Sequence, residues 1–325
     1  MRTKGRYTMV KTQVMLDYGG KSSRHLAFFG LAILVMLWLG GGWVVAQPVY
    51  DLVPIRVWSG TDHGQKPLRN PGGICADPEG MVYVADTGNH RVVVFDADGK
   101  WVKEVGGLGL GAYQLNRPSD VTAKLGLDVL VADAGNDRIQ RFNRRLGYIG
   151  TTQNTDVFTE PMSLDVSNFG DKFILDGDRR QVVKIDALTG QTVGFGGVDS
   201  GSGILEDPKK VEVQGSDIVW LADGESGNVV QYDLFGNHLI SRHLGDGVDV
   251  RGLAVSDEGV WVAGGDRVGL VDARGRVRWC LDSGGLGRMG LASADDVCFA
   301  NGAVVVLDSK GGKVAWFRVV SDPLQ

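Results

Sequence analysis

Cysteine and histidine are scarce in this chain, numbering three and five among 325 residues. Three cysteines make no disulfide framework; they permit one bridge and leave a thiol over. Five histidines are a thin supply for a catalytic zinc, which takes three protein ligands and keeps one position open. Clustered positive charge is missing too. The densest basic spots, Arg138 to Arg145 and Arg179-Arg180, are interleaved with Asp137 and Asp178. That pattern excludes the basic stripe a nucleic-acid surface requires. No G-x-S-x-G motif stands at a strand-to-helix elbow, so nothing argues for a serine nucleophile. Beyond residue 46 no segment reads as a helix.

Charge is distributed unevenly along the chain. Residues 1–25 carry six basic side chains (Arg2, Lys4, Arg6, Lys11, Lys21, Arg24) against Asp17, and residues 26–46 carry none of either sign. A basic lead followed by an uncharged apolar segment is a membrane-targeting signal. Two readings stay open. Val44-Val45-Ala46 has the small-residue spacing of a signal-peptidase site before Gln47, which implies a cleaved signal peptide. The uncharged stretch is also long enough for an uncleaved transmembrane helix. Either one exports the remainder, periplasmic or extracellular, because the positive flank stays in the cytoplasm. The expected division is therefore 1–46 as signal or anchor and 47–325 as the exported domain. Without residues 1–46, the 34 basic and 39 acidic side chains of the chain become an exported domain near −10.

Glycine is abundant, at 49 residues, and it punctuates short apolar runs. The unit beginning at Asn70 reads NPGGICADPEGMVYVADTGNHRVVVFDADGKWVKEVG. It contains Gly73 to Ala76, a Pro78-Glu79-Gly80 turn, an apolar run ending at Asp86, a second turn, Val92 to Phe95, an Asp96-Ala97-Asp98-Gly99 turn and Trp101 to Val105. That is four antiparallel strands. The middle strands are apolar at nearly every position, so both faces of the sheet are expected to be covered. The phrase returns after Pro118, Pro161 and Pro208, and in two degenerate copies around Arg251 and Asp296. Asp86, Asp133, Asp176 and Asp223 stand 47, 43 and 47 residues apart. A four-strand period in the forties, six times over, predicts an all-β six-bladed propeller. Blade six offers only three strands after Asp296, while residues 50–58 precede blade one with no blade of their own. We expect that N-terminal strand to close blade six.

At these residues the chain resembles the NHL-repeat family, whose blades read P-x-G-I, then V-Y-V-A-D-x-x-N-x-R-V, then an apolar pair and a D-x-D-G turn. Blade one follows the pattern almost letter for letter; the likeness extends over residues 49–320 and weakens in blades five and six. The resemblance implies the propeller architecture. Family members include enzymes, extracellular binding domains and RNA-binding domains, so it implies no single activity.

Several propeller enzymes similar to this family, such as the lyase half of peptide-amidating enzymes, hold zinc with three histidines. Here His25 falls in the targeting segment, His238 in a hairpin turn and His243 near the end of a fourth strand. Only His63 and His90 are expected in loops of one face. The repeated aspartates read as acceptors for backbone N–H groups of their own following turns, and Asp96-Ala97-Asp98-Gly99 as a hairpin rather than a calcium loop. Cys75 and Cys298 lie in first strands of neighbouring blades, where a bridge is conceivable, although buried free thiols are the default. No cofactor is expected, with calcium or zinc as the alternative.

The turns after the repeated aspartates differ from blade to blade, and loops on a rigid scaffold are where recognition resides. The candidate binding face comprises His90, Arg91, Asp137, Arg138, Arg179 and Arg180. The reading is an exported binding or scaffolding module for a protein or peptide, without nucleic acid, and held at the membrane if the leader stays uncleaved. Its alternative is a propeller enzyme of the peptide-amidating-lyase or lactonase type with a metal near the central channel. Oligomeric state is left open.

Overall fold

The computed structural model describes residues 37–39, 42–44, 49–60, 65–201 and 203–322. The expected targeting segment, 26–46, falls outside them except for Leu37–Leu39 and Gly42–Val44, which pair antiparallel. Among the described residues no helix is long and apolar enough to cross a membrane. The larger unit, within Pro48–Gln325, holds six four-stranded antiparallel sheets.

Blade one runs outward from the axis as Gly73–Ala76, Val82–Asp86, Arg91–Phe95 and Trp101–Gly106. The innermost strands of the other blades are Pro118–Thr122, Pro161–Val166, Pro208–Gln214, Gly252–Ser256 and Asp296–Ala300. Each touches its neighbours all the way round, so the ring is closed. Because the strands alternate in direction, the turns joining strands one to two and three to four share the lower face. Those joining two to three share the upper face with the connections between blades.

The unbroken apolar middle strands have the reason the sequence suggested. Val82, Val84, Val93 and Phe95 pack toward blade six with Trp58, Val305 and Trp316. The alternate residues Tyr83, Ala85, Val92 and Val94 pack toward blade two with Val129, Val131 and Phe142. Period-two alternation thus puts one set of side chains into each of two inter-blade cores. The same arrangement recurs at each remaining seam, giving six apolar clusters between six blades.

Ring closure is by the N-terminal strand, Val49–Trp58, which pairs antiparallel with Lys313–Asp322 from Val49 opposite Asp322 to Trp58 opposite Val314. At the adjacent seam the Asp96 hairpin turns tightly: Gly99 has φ 72° and abuts the Trp316 ring, so a side chain there meets both strain and a wall. The helix-free expectation needs one correction. Ser283–Arg288 is a short helix in the connection from blade five to blade six, capped where Asp282 Oδ1 accepts from the Gly285 amide at 2.7 Å.

Candidate functional site: the axial channel and its upper mouth

The repeated aspartates are 0–1% exposed, and they fasten loops rather than ring the axis. Asp86 Oδ1 accepts from the Arg69 amide at 2.8 Å, while Oδ2 accepts from Asn89 Nδ2 at 2.8 Å and Arg91 Nε at 2.6 Å. Blade two repeats the set with Asn116, Asn136 and Arg138 around Asp133. The expectation that each carboxylate serves its own turn is half the arrangement. It also accepts an amide from the connection some sixteen or seventeen residues upstream, as Asp223 does from Asp207 and Asp308 from Ala292.

Those contacts decide where the six candidate residues stand. Arg91 and Arg138 turn inward, each 7% exposed, tied to the blade's aspartate and to connection carbonyls including Lys66 O and Gln114 O. They are braces of the upper loops, not exposed cations. Arg179 reaches Asp176 at 2.7 Å and remains partly open to solvent. His90, Asp137 and Arg180 occupy equivalent left-handed positions, φ 58°, 51° and 51°. Two of them staple one blade to the next: His90 Nδ1 accepts from the Arg117 amide at 3.0 Å and Asp137 Oδ1 from the Glu160 amide at 2.8 Å. Arg180 is exposed, with one contact to Glu206 O at 3.3 Å. The upper face therefore contains all six, with only the arginines of blade three open enough to meet a partner directly. His63 lies outside the described residues.

A second set of residues, missed by the sequence reasoning, lines the axis. In blades two, three and four the first strand shifts register just after its proline, leaving Ser119, Met162 and Lys209 without ladder partners. Such bulges re-aim side chains. Here they aim into an open bowl of about 460 Å³ at the upper mouth, where the equivalent residues of blades one, five and six are Gly72, Arg251 and Asp295. One ring of six positions thus carries six different residues. Asp207, Glu225 and Asp249 add carboxylates on the side of blades four and five. Lys209 Nζ pairs with Asp207 at 2.7 Å, and Arg251 bridges Asp249 at 2.6 Å to Asp295. Asp249 Oδ1 is enclosed and has no hydrogen-bond partner among the described residues.

Beneath the mouth a second ring is closed by charge. Lys210, 6% exposed, places Nζ 2.8 Å from both Asp120 Oδ1 and Asp296 Oδ2. Ser163 Oγ donates to Asp120 at 2.6 Å and the Ile74 amide to Asp296 at 3.0 Å. Blades one and five supply Gly73 and Gly252, and a β-carbon at either would stand within 2.4 Å of the facing carboxylate. Glycine there makes room for the network. Burial by itself lowers the Lys210 pKa, but the two carboxylates outweigh it and hold the ammonium well above its ordinary value. Burial pushes the Asp296 carboxyl up to about 6, with Lys210 pulling it down and Asp120 pushing further.

A third ring follows, lined by Cys75, Thr122, Asp165, Glu212, Ala254 and Cys298 around a cavity of about 120 Å³. Lys124 Nζ reaches Asp165 at 2.7 Å and Glu212 at 2.9 Å. Burial, then the Asp165 charge, raises Glu212 to about 7. Cys75 and Cys298 are free thiols facing one cavity, and burial raises both well above the usual thiol value, which makes them poor nucleophiles. Among the described residues no group of three or more His, Cys, Asp or Glu side chains is spaced to hold a metal ion. The available signal in the sequence was a charge inside a strand: Asp120, Asp165, Lys210, Glu212 and Asp296 interrupt otherwise apolar first strands.

Residues 68–95, the connection into blade one and its first three strands, match the NHL repeat family. The chain carries an NHL repeat. Over 66 residues it is 47% identical to the RING finger protein nhl-1 of Caenorhabditis elegans, a match that covers 20% of this chain and 7% of that protein. The propeller is similar in structure to virginiamycin B lyase from Staphylococcus aureus, with a TM-score of 0.55 at 13% identity, covering 85% of this chain and 89% of that one. It is also similar to a protein of unknown function from Bacteroides thetaiotaomicron, with a TM-score of 0.61 at 12% identity over 86% and 78% of the two chains. At such identities the likeness shows the fold alone.

Proposed function

We propose that this NHL propeller is an exported binding module that takes a protein or peptide partner at the mouth of its channel. Residues 1–46 direct it to the membrane, where the leader is cleaved or remains as an anchor. The observation that carries the reading is the contrast between the rings. The Lys210 ring is a closed network whose partners satisfy one another, whereas the ring above it is open and differs at all six positions. Packing requires no such diversity; recognition does. Lys209 and Arg251 beside Asp207, Asp249 and Asp295 offer charge of both signs, which suits a polypeptide segment with mixed side chains. The rim residues Arg179 and Arg180 extend the same surface outward. The reading requires no cofactor.

Capture of a partner from native membranes by the full chain, followed by affinity measurement on the Lys209→Glu/Arg251→Glu double variant, tests the assignment. The expected result is loss of binding with the fold retained. Stoichiometric zinc or calcium together with lyase or lactonase turnover would overturn it in favour of the enzyme reading.

A further inference from the structure

The lower face carries an apolar patch that neither the packing nor the channel uses. In five blades the turn between strands three and four is closed identically: an Asp or Asn side chain accepts the amide two residues on. The residues so held are Asp98, Arg145, Leu188, Phe235 and Arg274, at 2.8–3.1 Å. Since the turn is fixed by the acceptor, the tip side chain is free to vary. Blades one, two and five use charge there, but Leu188 of blade three is 95% exposed and Phe235 of blade four 77%. The turns between strands one and two add Leu127 of blade two, 73% exposed, and Phe169 of blade three, 69% exposed. Four large apolar side chains thus project from one sector of one face. Between blades two and three a groove of about 300 Å³ continues the patch, with Leu125, Leu130 and Val166 flanked by Lys172 and by the Arg141–Asp128 ion pair. Lys184 Nζ pairs with Asp171 at 3.0 Å and stands 5.7 Å over the Phe235 ring. Large apolar tips over long side-chain stems, with the charges paired beside them, can enter the headgroup layer of a bilayer.

The path of the chain selects that occupant. Val49 lies opposite Asp322, at the end of the third strand of blade six, so the polypeptide enters the propeller on this same lower face. In the sequence only Gln47 and Pro48 separate the uncharged segment 26–46 from that strand. In a closed ring of six, blade three is diametrically opposite blade six. A leader retained there would hold the blade-six side of the face, opposite the apolar tips on blades two to four.

We propose that the lower face of the propeller lies against a lipid bilayer, with Leu127, Phe169, Leu188 and Phe235 entering its headgroup layer. The choice of bilayer rests on the proposed reading of residues 26–46 as a membrane-directed leader that stays uncleaved. The mouth then points away from the membrane, open to its partner.

The ring is closed by residues 49–322 alone, so residues 47–325 serve as a folded test protein. Flotation with vesicles of phosphatidylethanolamine and phosphatidylglycerol should show binding. The Leu127→Ser/Phe169→Ser/Leu188→Ser/Phe235→Ser variant should bind at least about tenfold less while melting within a few degrees of the parent. Leu108→Ser/Leu110→Ser on the upper face should bind as the parent does. No flotation of the parent, or equal flotation of the quadruple variant, would overturn the proposal. So would a parent that sediments as a dimer and a quadruple variant that is monomeric, because a second copy would then be the occupant. Fractionation of the full chain separates the two claims. Full chain in membranes with no vesicle binding by 47–325 rejects the docking and keeps the leader; vesicle binding with full chain in the cytosol does the reverse.

Discussion

Lys210 shows how much a single side chain is asked to do. It is the cation between two buried carboxylates from blades two and six, and removing one partner of a buried ion pair leaves the others uncompensated. Lys210→Ala is expected to destabilise the propeller by about 3–5 kcal/mol in chemical denaturation. A loss within about 0.5 kcal/mol, the size of an ordinary surface change, would contradict the assigned role. The channel carboxyls also set a pH dependence. Asp296 and Glu212 have folded-state values of about 6 and about 7, above the unfolded carboxylate range. The folded state thus binds their protons more tightly, and their contribution to stability is complete below about pH 4 and lost as pH rises through 6 and 7. The melting temperature should therefore climb from pH 8 to pH 5, and Glu212→Gln should flatten the upper part of that rise. Asp266 and Asp272 are shifted the other way, downward, and act only below that window. A parent profile that falls between pH 8 and 5 would refute the attribution. At this scale the sequence was a partial guide. It identified the upper-face turns, yet it set Arg91 and Arg138 among exposed contacts. Their inward turn depends on carbonyls some 24 to 28 residues away in the connections, such as Lys66 O and Leu110 O, which no local pattern reveals.

Among the elements, the strand Val49–Trp58 is the one whose placement was legible from arithmetic. Six repeats of four strands left blade six one short and residues 50–58 unassigned, and the structure joins them through the longest ladder in the ring. Trp58 and Leu52 carry the closing strand into the cores on either side of blade six. Removing residues 49–59 exposes the edge of Lys313–Asp322 and opens both cores. The expected outcome is a lower melting temperature and aggregation, measured by calorimetry and light scattering; a truncated chain as stable as the parent would show that the closure is dispensable. The helix Ser283–Arg288 was not legible, and the reason is physical. With SGGLGR it has three glycines and less than two turns, too little for a periodic signal, and it exists because Asp282 caps it and Leu286 is buried beside Leu291. The register shifts that expose Ser119, Met162 and Lys209 were equally hidden, since a bulge changes pairing without changing composition.

For the whole molecule, repetition and variation divide the work. What repeats, the apolar middle strands and the aspartate staples, builds a disc whose blades hold one another. What varies lies at the axis and in the turns: three stacked rings along the channel, an open mouth above and an apolar sector below. Mixed charge at the mouth suits a polypeptide partner, and truncating one member of a close interfacial ion pair typically costs about 2–5 kcal/mol, more than tenfold in affinity. The leader places that mouth outside the cytoplasm in our proposal; protease added to spheroplasts should digest the propeller, and a protected, cytosolic chain would reject the placement. The most direct test is the affinity of the captured partner for three proteins: the parent, Lys209→Glu/Arg251→Glu at the mouth, and Asp98→Ala/Lys100→Ala on the lower face. The mouth variant is expected to lose at least about tenfold and the lower-face variant to bind like the parent. Unchanged affinity at the mouth with loss at Asp98 and Lys100 would contradict it.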